Sequence, residues 1–394
     1  MNKLREVVIV SAARTPIGSF LGSLSPVPAT RLGSIVIEEV LNRAGLDKSL
    51  VDEVVMGNVL SAGEGQAPAR QAALGAGLPE STECMTINKV CGSGLKAVML
   101  AAQAIMVGDA DIIIAGGMES MSNVPYYLFK AREGFKMGDQ KLVDGMIFDG
   151  LWDVYNNFHM GNAAELCAKE YHISREAQDE YTILSYKRAL EAQKSGKFDA
   201  EIVPVQIPQR KGDPLFVSLD EEPAKVRFEK IADLKPVFDK SGTVTAANAS
   251  SINDGAAAVL LMAEEKAKEL KIGSMARIGY QASAAKKPEW FTTAPVDAIQ
   301  KCLNKASLTI NDIDLYEINE AFAIVSLAVN NILNLDVEKV NVNGGAVALG
   351  HPIGASGTRI LVTLLHEMTK RAANRGLASL CIGGGEASAL LVEM

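Results

Sequence analysis

Short apolar runs alternate with segments of helical periodicity along the first 120 residues. Val7–Val10 is a continuous β-branched run, which is typical of a strand covered on both faces. Residues 31–44 carry apolar side chains at helical spacing and stop at a glycine, and a second strand is predicted over 51–58. A helix over 67–76 and a strand over 110–116 that runs into a glycine turn follow. The order strand, helix, strand, helix, strand predicts an α/β sheet with mixed or parallel strands.

The second half of the chain repeats this pattern. Residues 314–320 parallel residues 52–58, since both have an acidic start, an apolar strand and an asparagine at the strand's end. Residues 377–388 parallel residues 110–120, with glycines and a glutamate at matching points. Such a repeat indicates duplication, with a site where equivalent strand ends converge. Chance similarity of two α/β patterns is the alternative.

The stretch between the halves differs in character. It is rich in loops, tyrosine and proline, and it carries one predicted helix over 177–193. Its basic residues, which include Lys225 and Arg227, are either simply solvated or face a phosphate. The sequence therefore predicts three parts. They are a first half over 1–121, completed by about 251–273, an inserted lobe over 122–250 and a second half over 274–394.

Composition and charge narrow the class of protein. The chain has 394 residues, of which 48% are hydrophobic and 22% charged, as expected of two or three globular domains. The net charge of −8 argues against nucleic acid as a partner. The five cysteines show no CxxC spacing, so we expect no disulfide framework and no metal site. The N-terminal segment is too polar for a signal peptide or a membrane span, and a cytoplasmic protein is expected.

Cys91 lies between a short apolar approach and a long apolar helix whose first turn is predicted at Gly92–Gly94. Unpaired backbone N–H groups and the positive end of the helix dipole favour a thiolate there. The glycines let a ligand approach the backbone. This is the setting of a nucleophile. A buried, small apolar side chain is the other interpretation, and this stretch alone leaves both open.

A glycine-rich loop over 343–357 surrounds His351, one of only four histidines. A histidine beside proline and among five glycines is a poor core residue and a well-placed base. A cysteine nucleophile with a distant histidine is the general form of covalent acyl transfer. Cys381 ends the strand equivalent to residues 114–116, so in a duplicated fold it can face the same cavity and act as acid or base at carbon. The glycines at 383–385 lack the βαβ context of a dinucleotide loop.

Together these motifs resemble one family, the thiolases, and within it the acetyl-CoA C-acetyltransferases. The resemblance covers essentially the whole chain. The matching segments are Val8–Gly18, Asn88–Gly94, Ala115–Ser122, His159–Gly161, Asn248–Ser250, Asn253–Gly255, Asn319–Phe322, Val342–Gly357 and Cys381–Gly385.

The resemblance implies a duplicated five-layer αβαβα core, an inserted loop lobe over coenzyme A, and a homodimer or homotetramer. It implies that Cys91 attacks an acyl-CoA thioester while His351 takes its proton. Cys381 then removes a proton from the methyl group of a second acetyl-CoA, giving acetoacetyl-CoA and CoA in a reversible reaction. Asn319 would hold a water that binds one oxyanion with His351, and the N–H groups of Cys91 and Gly383 would bind the other. No cofactor beyond coenzyme A, which is substrate and product, is implied.

The family's coenzyme A contacts fall on seven positions of this chain: Leu151, His159, Met160, Phe238, Ser250, Ala321 and Phe322. Family members often carry an arginine after the proline equivalent to Pro223, but Ala224 follows here, so Lys225 or Arg227 is expected to substitute. Residues 288–295 differ from the Met-Gly-x-Gly-Pro pattern common near the acyl site, and residues 385–388 replace a frequent Gly-Gln-Gly. Both departures leave acyl-chain preference open.

Three other functions stay under consideration. The nearest is a longer-chain 3-ketoacyl-CoA thiolase of β-oxidation, which cleavage rates for C4 and C8 substrates would separate. A non-catalytic acyl-CoA carrier on the same fold is a second, although all four reactive positions are occupied. A decarboxylating ketosynthase has no need of the second cysteine. The sequence leaves the direction of the reaction in the cell open.

Overall fold

Strand β1, Val7–Arg14, lies at the centre of the computed structural model, which describes residues 4–209 and 211–394. The strand is longer than its β-branched start and continues through Arg14, which is wholly buried between Glu201 and Asp220. The remaining elements of the first half are β2 Gly18–Ser19, α1 Ala29–Ala44, β3 Glu53–Gly57, α2 Pro68–Gly75, β4 Glu83–Ile87, α3 Ser93–Val107, β5 Ile112–Ser120, β12 Asn253–Ala263 and α6 Glu264–Leu270.

The lobe between β5 and β12 contains two longer helices and three small two-stranded sheets. Its elements are β6 Tyr126–Tyr127, β7 Val143–Asp144, β8 Trp152–Asp153, β9 Phe158–His159, α4 Met160–Glu170, α5 Arg175–Lys194, β10 Val205–Ile207 and β11 Leu215–Val217. Helix α5 agrees with the predicted helix over 177–193. The exact division of the chain at 121 and 250 stays a prediction.

The second half is built from four strands and four helices. These are β13 Ala276–Ala285, α7 Ala294–Ala306, β14 Leu315–Ile318, α8 Ala323–Leu333, α9 Ala346–Leu349, α10 Ser356–Arg371, β15 Arg375–Ile382 and β16 Glu386–Glu393.

The main sheet shows the duplication directly. Its strand order is β14-β15-β16-β13-β1-β12-β5-β3-β4, and β13 meets β1 only at Val8 and Ile9. Outward from this seam, both half-sheets run through two antiparallel pairs and then one parallel pair, β1-β12-β5-β3 on one side and β13-β16-β15-β14 on the other. Two sheets of the same topology therefore meet edge to edge, and the predicted repeat is confirmed.

Helices cover both half-sheets and fill the space between them. Helices α1 and α2 pack on the outer face of the first half-sheet, and α7 and α8 on the outer face of the second. Helices α3 and α10 lie between the two half-sheets and contact both. These are the five α and β layers that the sequence resemblance implied. Side chains of β1 alternate between two cores, since Val7 and Ile9 face the middle layer and Val8 and Val10 the outer one.

Helix α3 is largely apolar because both half-sheets cover most of it, and only the side with Gln103 and Val107 is exposed. The segment Val90–Val107, which contains it, is the one stretch among residues 4–209 and 211–394 that is long and apolar enough to cross a membrane by length and composition. The apolar composition of this segment is explained by its burial between the two half-sheets.

The strand register supports the predicted pairing of residues 314–320 with 52–58. Glu53 lies opposite Ile113 and Leu315 opposite Gly376, so Asn319 corresponds to Gly57, while Asn58 corresponds to Glu320. The two asparagines at the strand ends are therefore one residue apart in the repeat. The predicted match of the glycines is wrong, because those of β5 lie within a strand and those at 383–385 in the turn after β15.

Candidate active site

A cavity of about 370 Å³ opens where the lobe meets the carboxyl ends of the strands from both halves. This size falls within the range of small-molecule sites. Ten of the residues that the sequence singled out line it: Cys91, Leu151, His159, Met160, Phe238, Ser250, Ala321, Phe322, His351 and Gly383.

Cys91 lies on a tight turn immediately before α3. Val90 has φ of 47°, a conformation that a β-branched residue rarely adopts and that is concentrated at functional sites. Two side chains hold the turn: Ser93 Oγ donates to the Val90 carbonyl at 2.6 Å, and Asn88 Oδ1 accepts from Val90 N at 2.9 Å. The strained turn presents the sulfur of Cys91 to the cavity.

Burial, and to a smaller extent the negative charge of Glu119, raises the pKa of the Cys91 thiol to about 11. The backbone N–H groups of Gly383 and Cys91 lower it, but they do not offset desolvation. The expected stabilisation of a thiolate at the helix N-terminus is therefore wrong for the resting site. The Cys91 thiol therefore needs a base that takes its proton before its sulfur can act as a nucleophile.

His351 lies beside Cys91 in the same cavity and is 6% exposed. Its Nδ1 is 2.5 Å from Ser356 Oγ, and that hydroxyl also lies 2.9 Å from the Pro352 carbonyl. We assign the hydroxyl hydrogen to the carbonyl, so that Oγ accepts from Nδ1–H and Nε2 keeps its lone pair. Burial, together with the positive charge of Arg359, lowers the pKa of His351 to about 3. The site therefore holds a neutral imidazole with a free basic nitrogen.

Asn319 lies directly behind the imidazole. Its Nδ2 is 3.5 Å from His351 Nε2, and its side chain is wholly buried. The Oδ1 atom has no hydrogen-bond partner among the residues that the structure describes. Such an acceptor is where a polar ligand or a water is expected.

Cys381, the last residue but one of β15, is fully buried. Burial raises its pKa well above the usual range, and electrostatic interaction with Cys91 and Cys167 raises it further, so Cys381 lies within electrostatic range of Cys91. The structure thus brings Cys91, His351, Asn319, Gly383 and Cys381 to one place, although Asn319 and Cys381 lie behind the cavity wall.

The lobe and the segment after β14 form an apolar channel leading to Cys91. The ring of Phe238 stacks on the imidazole of His159, with centroids 4.7 Å apart, and meets Phe322 edge-on at 6.3 Å. Ser250 donates to the Ala321 carbonyl from both its backbone nitrogen, at 3.0 Å, and its hydroxyl, at 2.9 Å. These contacts fix the channel walls.

Lys225 and Arg227 do not line the cavity. The Lys225 ammonium donates to Ser19 Oγ and lies 3.5 Å from a Glu222 carboxylate oxygen, so it is already paired. Arg227 is exposed to solvent.

Several residues of the site escaped the sequence analysis. Ser356, which orients His351, lies inside the glycine-rich loop that was singled out, but its role depends on the turn at Pro352. Asn253 accepts from His351 N at 2.9 Å. Phe291, in the segment that departs from the family pattern, lines the cavity and meets Phe322 edge-on at 6.4 Å. The departure of residues 288–295 from the family pattern was the signal in the sequence that pointed to Phe291.

Comparisons with known proteins agree with this geometry. The family model for the thiolase N-terminal domain matches residues 7–265, and that for the thiolase C-terminal domain matches residues 272–394. Among similar proteins, the acetyl-CoA acetyltransferase of Cupriavidus necator is 60% identical over 391 residues, or 99% of this chain and all of the relative. That of Pseudomonas aeruginosa is 56% identical over 388 residues, covering 98% of this chain and 99% of the relative.

A solved structure extends the agreement to three dimensions. The crystal structure of the Acat5 thiolase from Ascaris suum in complex with coenzyme A superimposes with a TM-score of 0.94 at 44% identity, covering 99% of this chain and all of that one. The resemblance seen in the sequence motifs is thus confirmed over the full length of both halves. The chain belongs to the thiolase family.

Proposed function

We propose that this chain is an acetyl-CoA C-acetyltransferase, an enzyme that reversibly joins two acetyl-CoA molecules into acetoacetyl-CoA and CoA. The observation that carries the proposal is the cavity that both Cys91 and His351 line, with Cys381 buried within electrostatic range of Cys91. The proposal is supported by full-length relatives, 55–60% identical, that bear this name.

In the first half-reaction, Cys91 Sγ attacks the thioester carbon of acetyl-CoA. Nε2 of His351 accepts the thiol proton, since Nδ1 already carries a hydrogen directed at Ser356. The carbon–sulfur bond to coenzyme A breaks, the proton passes to the leaving sulfur, and an acetyl group stays on Cys91. A neutral thiol beside a neutral imidazole makes proton transfer part of this step.

In the second half-reaction, Cys381 acts at carbon. It first passes its own thiol proton to Nε2 of His351, and the resulting thiolate takes a proton from the methyl group of a second acetyl-CoA. The enolate attacks the acetyl carbonyl on Cys91, a carbon–carbon bond forms, the bond to Cys91 breaks, and the Cys91 sulfur takes the proton that His351 held. Because carbon acids are weak, the base has to lie within contact of the methyl group, and Cys381 is buried within electrostatic range of Cys91.

Oxygen atoms gain negative charge in both half-reactions, so each needs its own donors. The N–H groups of Cys91 and Gly383, which already point at the Cys91 sulfur, serve the acetyl group on that sulfur. His351, whose Nε2 holds the Cys381 proton at this stage, and a water on the unpartnered Oδ1 of Asn319 donate to the thioester oxygen of the second acetyl-CoA. Each donor set contributes a few kcal/mol, about 3 for a single donor.

The pantetheine arm of coenzyme A occupies the channel between the lobe and the second half. Leu151, Met160 and Ala321 supply apolar surface, and the stacked pair His159–Phe238 closes one side. The nucleotide lies at the outer end, where Arg227 is free to meet a phosphate and Lys225 is engaged elsewhere. Assembly into a homodimer or homotetramer and a cytoplasmic location stay predictions.

The acetyl-transfer step is tested by incubating the protein with acetyl-CoA and mapping adducts by peptide mass. An acetyl group on Cys91 is expected, and its absence would rule out the mechanism. Turnover of acetoacetyl-CoA with free CoA separates an enzyme from a non-catalytic carrier. A C8 substrate cleaved faster than the C4 substrate would instead indicate a longer-chain thiolase.

A further inference from the structure

Three buried polar side chains fix the backbone of the loop that carries His351. Each comes from a different part of the chain and accepts a hydrogen bond from one loop N–H. The pairs are Val347 N with Glu320 Oε2 at 3.1 Å, His351 N with Asn253 Oδ1 at 2.9 Å, and Gly354 N with Glu119 Oε2 at 2.9 Å.

The glycines of this loop make room for the same three side chains. A β-carbon at any of them would collide with the side chain that fixes the loop. A β-carbon on Gly345 would collide with Glu320, one on Gly350 with Asn253, and one on Gly354 with Glu119. The glycine pattern around His351 therefore follows from the need to bring buried acceptors against the loop backbone, as well as from ligand access.

Glu119 differs from the other two because it also binds the loop that follows β3. Its carboxylate is fully buried and accepts four hydrogen bonds. Oε2 accepts from Gly354 N at 2.9 Å and Val59 N at 3.1 Å, and Oε1 accepts from Leu60 N and Asn58 Nδ2, both at 3.2 Å. One carboxylate thus joins the loop after β3 to the loop of His351.

The loop after β3 is in turn bonded to the turn of Cys91. The Val59 carbonyl accepts from Asn88 Nδ2 at 3.3 Å, and Asn88 Oδ1 accepts from Val90 N at 2.9 Å. Val59 and Leu60 also pack in one apolar cluster with Cys91 and with Ile353 of the histidine loop. A path of contacts therefore leads from the Glu119 carboxylate to each of the two reacting residues.

We propose that Glu119 is a positioning residue that holds Cys91 and His351 at their reacting distance across the junction of the two halves. The inference rests on the proposed function, because it concerns the proton transfer between these two residues. Glu320 and Asn253 hold only the histidine side of that pair. A displacement of about 1 Å in such a pair can slow a reaction about 100-fold.

Glu119→Gln tests the inference with little change in volume. Whichever way the amide points, its NH₂ group faces two N–H donors, so two hydrogen bonds are lost. We expect kcat for cleavage of acetoacetyl-CoA to fall about 10- to 100-fold, while KM for CoA stays within about twofold because the channel walls are unchanged. Alkylation of Cys91 by iodoacetamide should slow about tenfold, since it also depends on proton transfer to His351.

Asp52→Asn is the matched control. Asp52 also accepts two backbone N–H bonds, from Asp111 at 2.8 Å and Ile112 at 2.9 Å, but at the opposite end of β3. We expect it to lower the melting temperature and to leave kcat and the alkylation rate within about twofold. Equal kinetic losses in both variants would overturn the inference, as would a folded Glu119→Gln protein with unchanged kcat and alkylation.

Asn58→Ala covers the case in which Glu119→Gln does not fold. It removes the side-chain donor to Oε1, together with that amide's longer bonds to the Met118 carbonyl and Glu64, and kcat is expected to fall about threefold to tenfold at constant KM. An unchanged kcat in a folded Asn58→Ala protein would overturn the inference. The unmutated protein provides the reference: if acetyl-CoA fails to label its Cys91, the proposed function fails, independently of how Glu119 acts.

Discussion

The imidazole of His351 and the hydroxyl of Ser356 lie 2.5 Å apart, and they are five residues apart in the chain. With its hydrogen assigned to the Pro352 carbonyl, 2.9 Å away, the hydroxyl accepts from the ring. Ser356 therefore selects the tautomer whose Nε2 is free to take a proton from Cys91. The first residue of α10 thus has a role in the chemistry through its side chain.

Ser356→Ala should lower kcat about 10- to 100-fold with little change in KM. The variant leaves a buried N–H without an acceptor and removes the preference between the two tautomers. Steady-state cleavage of acetoacetyl-CoA measures the effect. Thr369→Ala on the same helix, which loses a hydroxyl bonded to the Leu365 carbonyl at 2.9 Å, is the control and should keep full activity. Equal rates in both variants would contradict the assigned tautomer.

His351 itself should contribute little to the pH dependence of Cys91 acetylation between about 5 and 8, and the upper end of this range also contains the titration of Glu119, whose pKa burial raises to about 8. The base is a histidine whose pKa is lowered to about 3, so it stays neutral over this range. A histidine titrating at its usual pKa of about 6.5 would lose roughly 30-fold in rate at pH 5. Single-turnover release of CoA from acetyl-CoA, followed against pH, distinguishes the two, and a steep decline below pH 6.5 would show that His351 titrates normally.

The same pKa shift affects stability. Because the folded protein binds the proton of His351 less tightly than the unfolded chain does, the free energy of unfolding should fall as the pH drops from about 6.5 toward 3. Unfolding curves at each pH therefore accompany the kinetic series. They establish the range over which the protein stays folded during the rate measurement.

Cys381→Ala should separate the two half-reactions. The variant is expected to become acetylated on Cys91 at a normal rate and to form acetoacetyl-CoA about 10²- to 10⁴-fold more slowly, since the base at carbon is gone. Peptide mass mapping and product release measure the two steps. Cys302→Ala, at another buried cysteine whose sulfur contacts the Tyr280 carbonyl, is the control. Normal condensation by the Cys381 variant would assign that sulfur to packing alone.

The sequence predicts which residues come together at the site. It predicts their protonation states less well. Cys91, His351 and Cys381 were found because a cysteine before a helix and a histidine among glycines are unusual, and the repeat placed the second cysteine near the first. The raised pKa of Cys91 could not be predicted, because it depends on burial by residues of both halves and on the charge of Glu119.

Long-range pairing explains the other discrepancies. Lys225 was a reasonable phosphate ligand in the sequence, but Ser19, 206 residues away, binds its ammonium group. The mismatch between the glycines of β5 and those at 383–385 appears only once each strand is paired with its neighbour. Periodicity specifies elements and their order, whereas register and ion pairing depend on segments that are distant in the chain.

Arg227→Ala should raise KM for CoA about fivefold, which corresponds to about 1 kcal/mol for an exposed ion pair. The effect should be absent with dephospho-CoA if the side chain meets the 3′-phosphate. Lys225→Ala is the control, because that ammonium is engaged by Ser19 and Glu222. A larger effect of Lys225→Ala than of Arg227→Ala would reverse the assignment of the two basic residues.

Phe291→Met should shift the preference of the enzyme toward longer acyl chains. Phe291 is 3% exposed, lines the cavity and meets Phe322 edge-on, so its ring limits the space on one side. A flexible methionine yields to additional methylene groups, and one such group changes discrimination by about tenfold or more. The ratio of kcat/KM for C8 and C4 3-oxoacyl-CoA is expected to rise about tenfold. Phe216→Met, at an exposed position of β11, is the matched control and should leave the ratio unchanged. If the Phe291 variant also left it unchanged, the acyl chain would have to lie against another wall of the cavity.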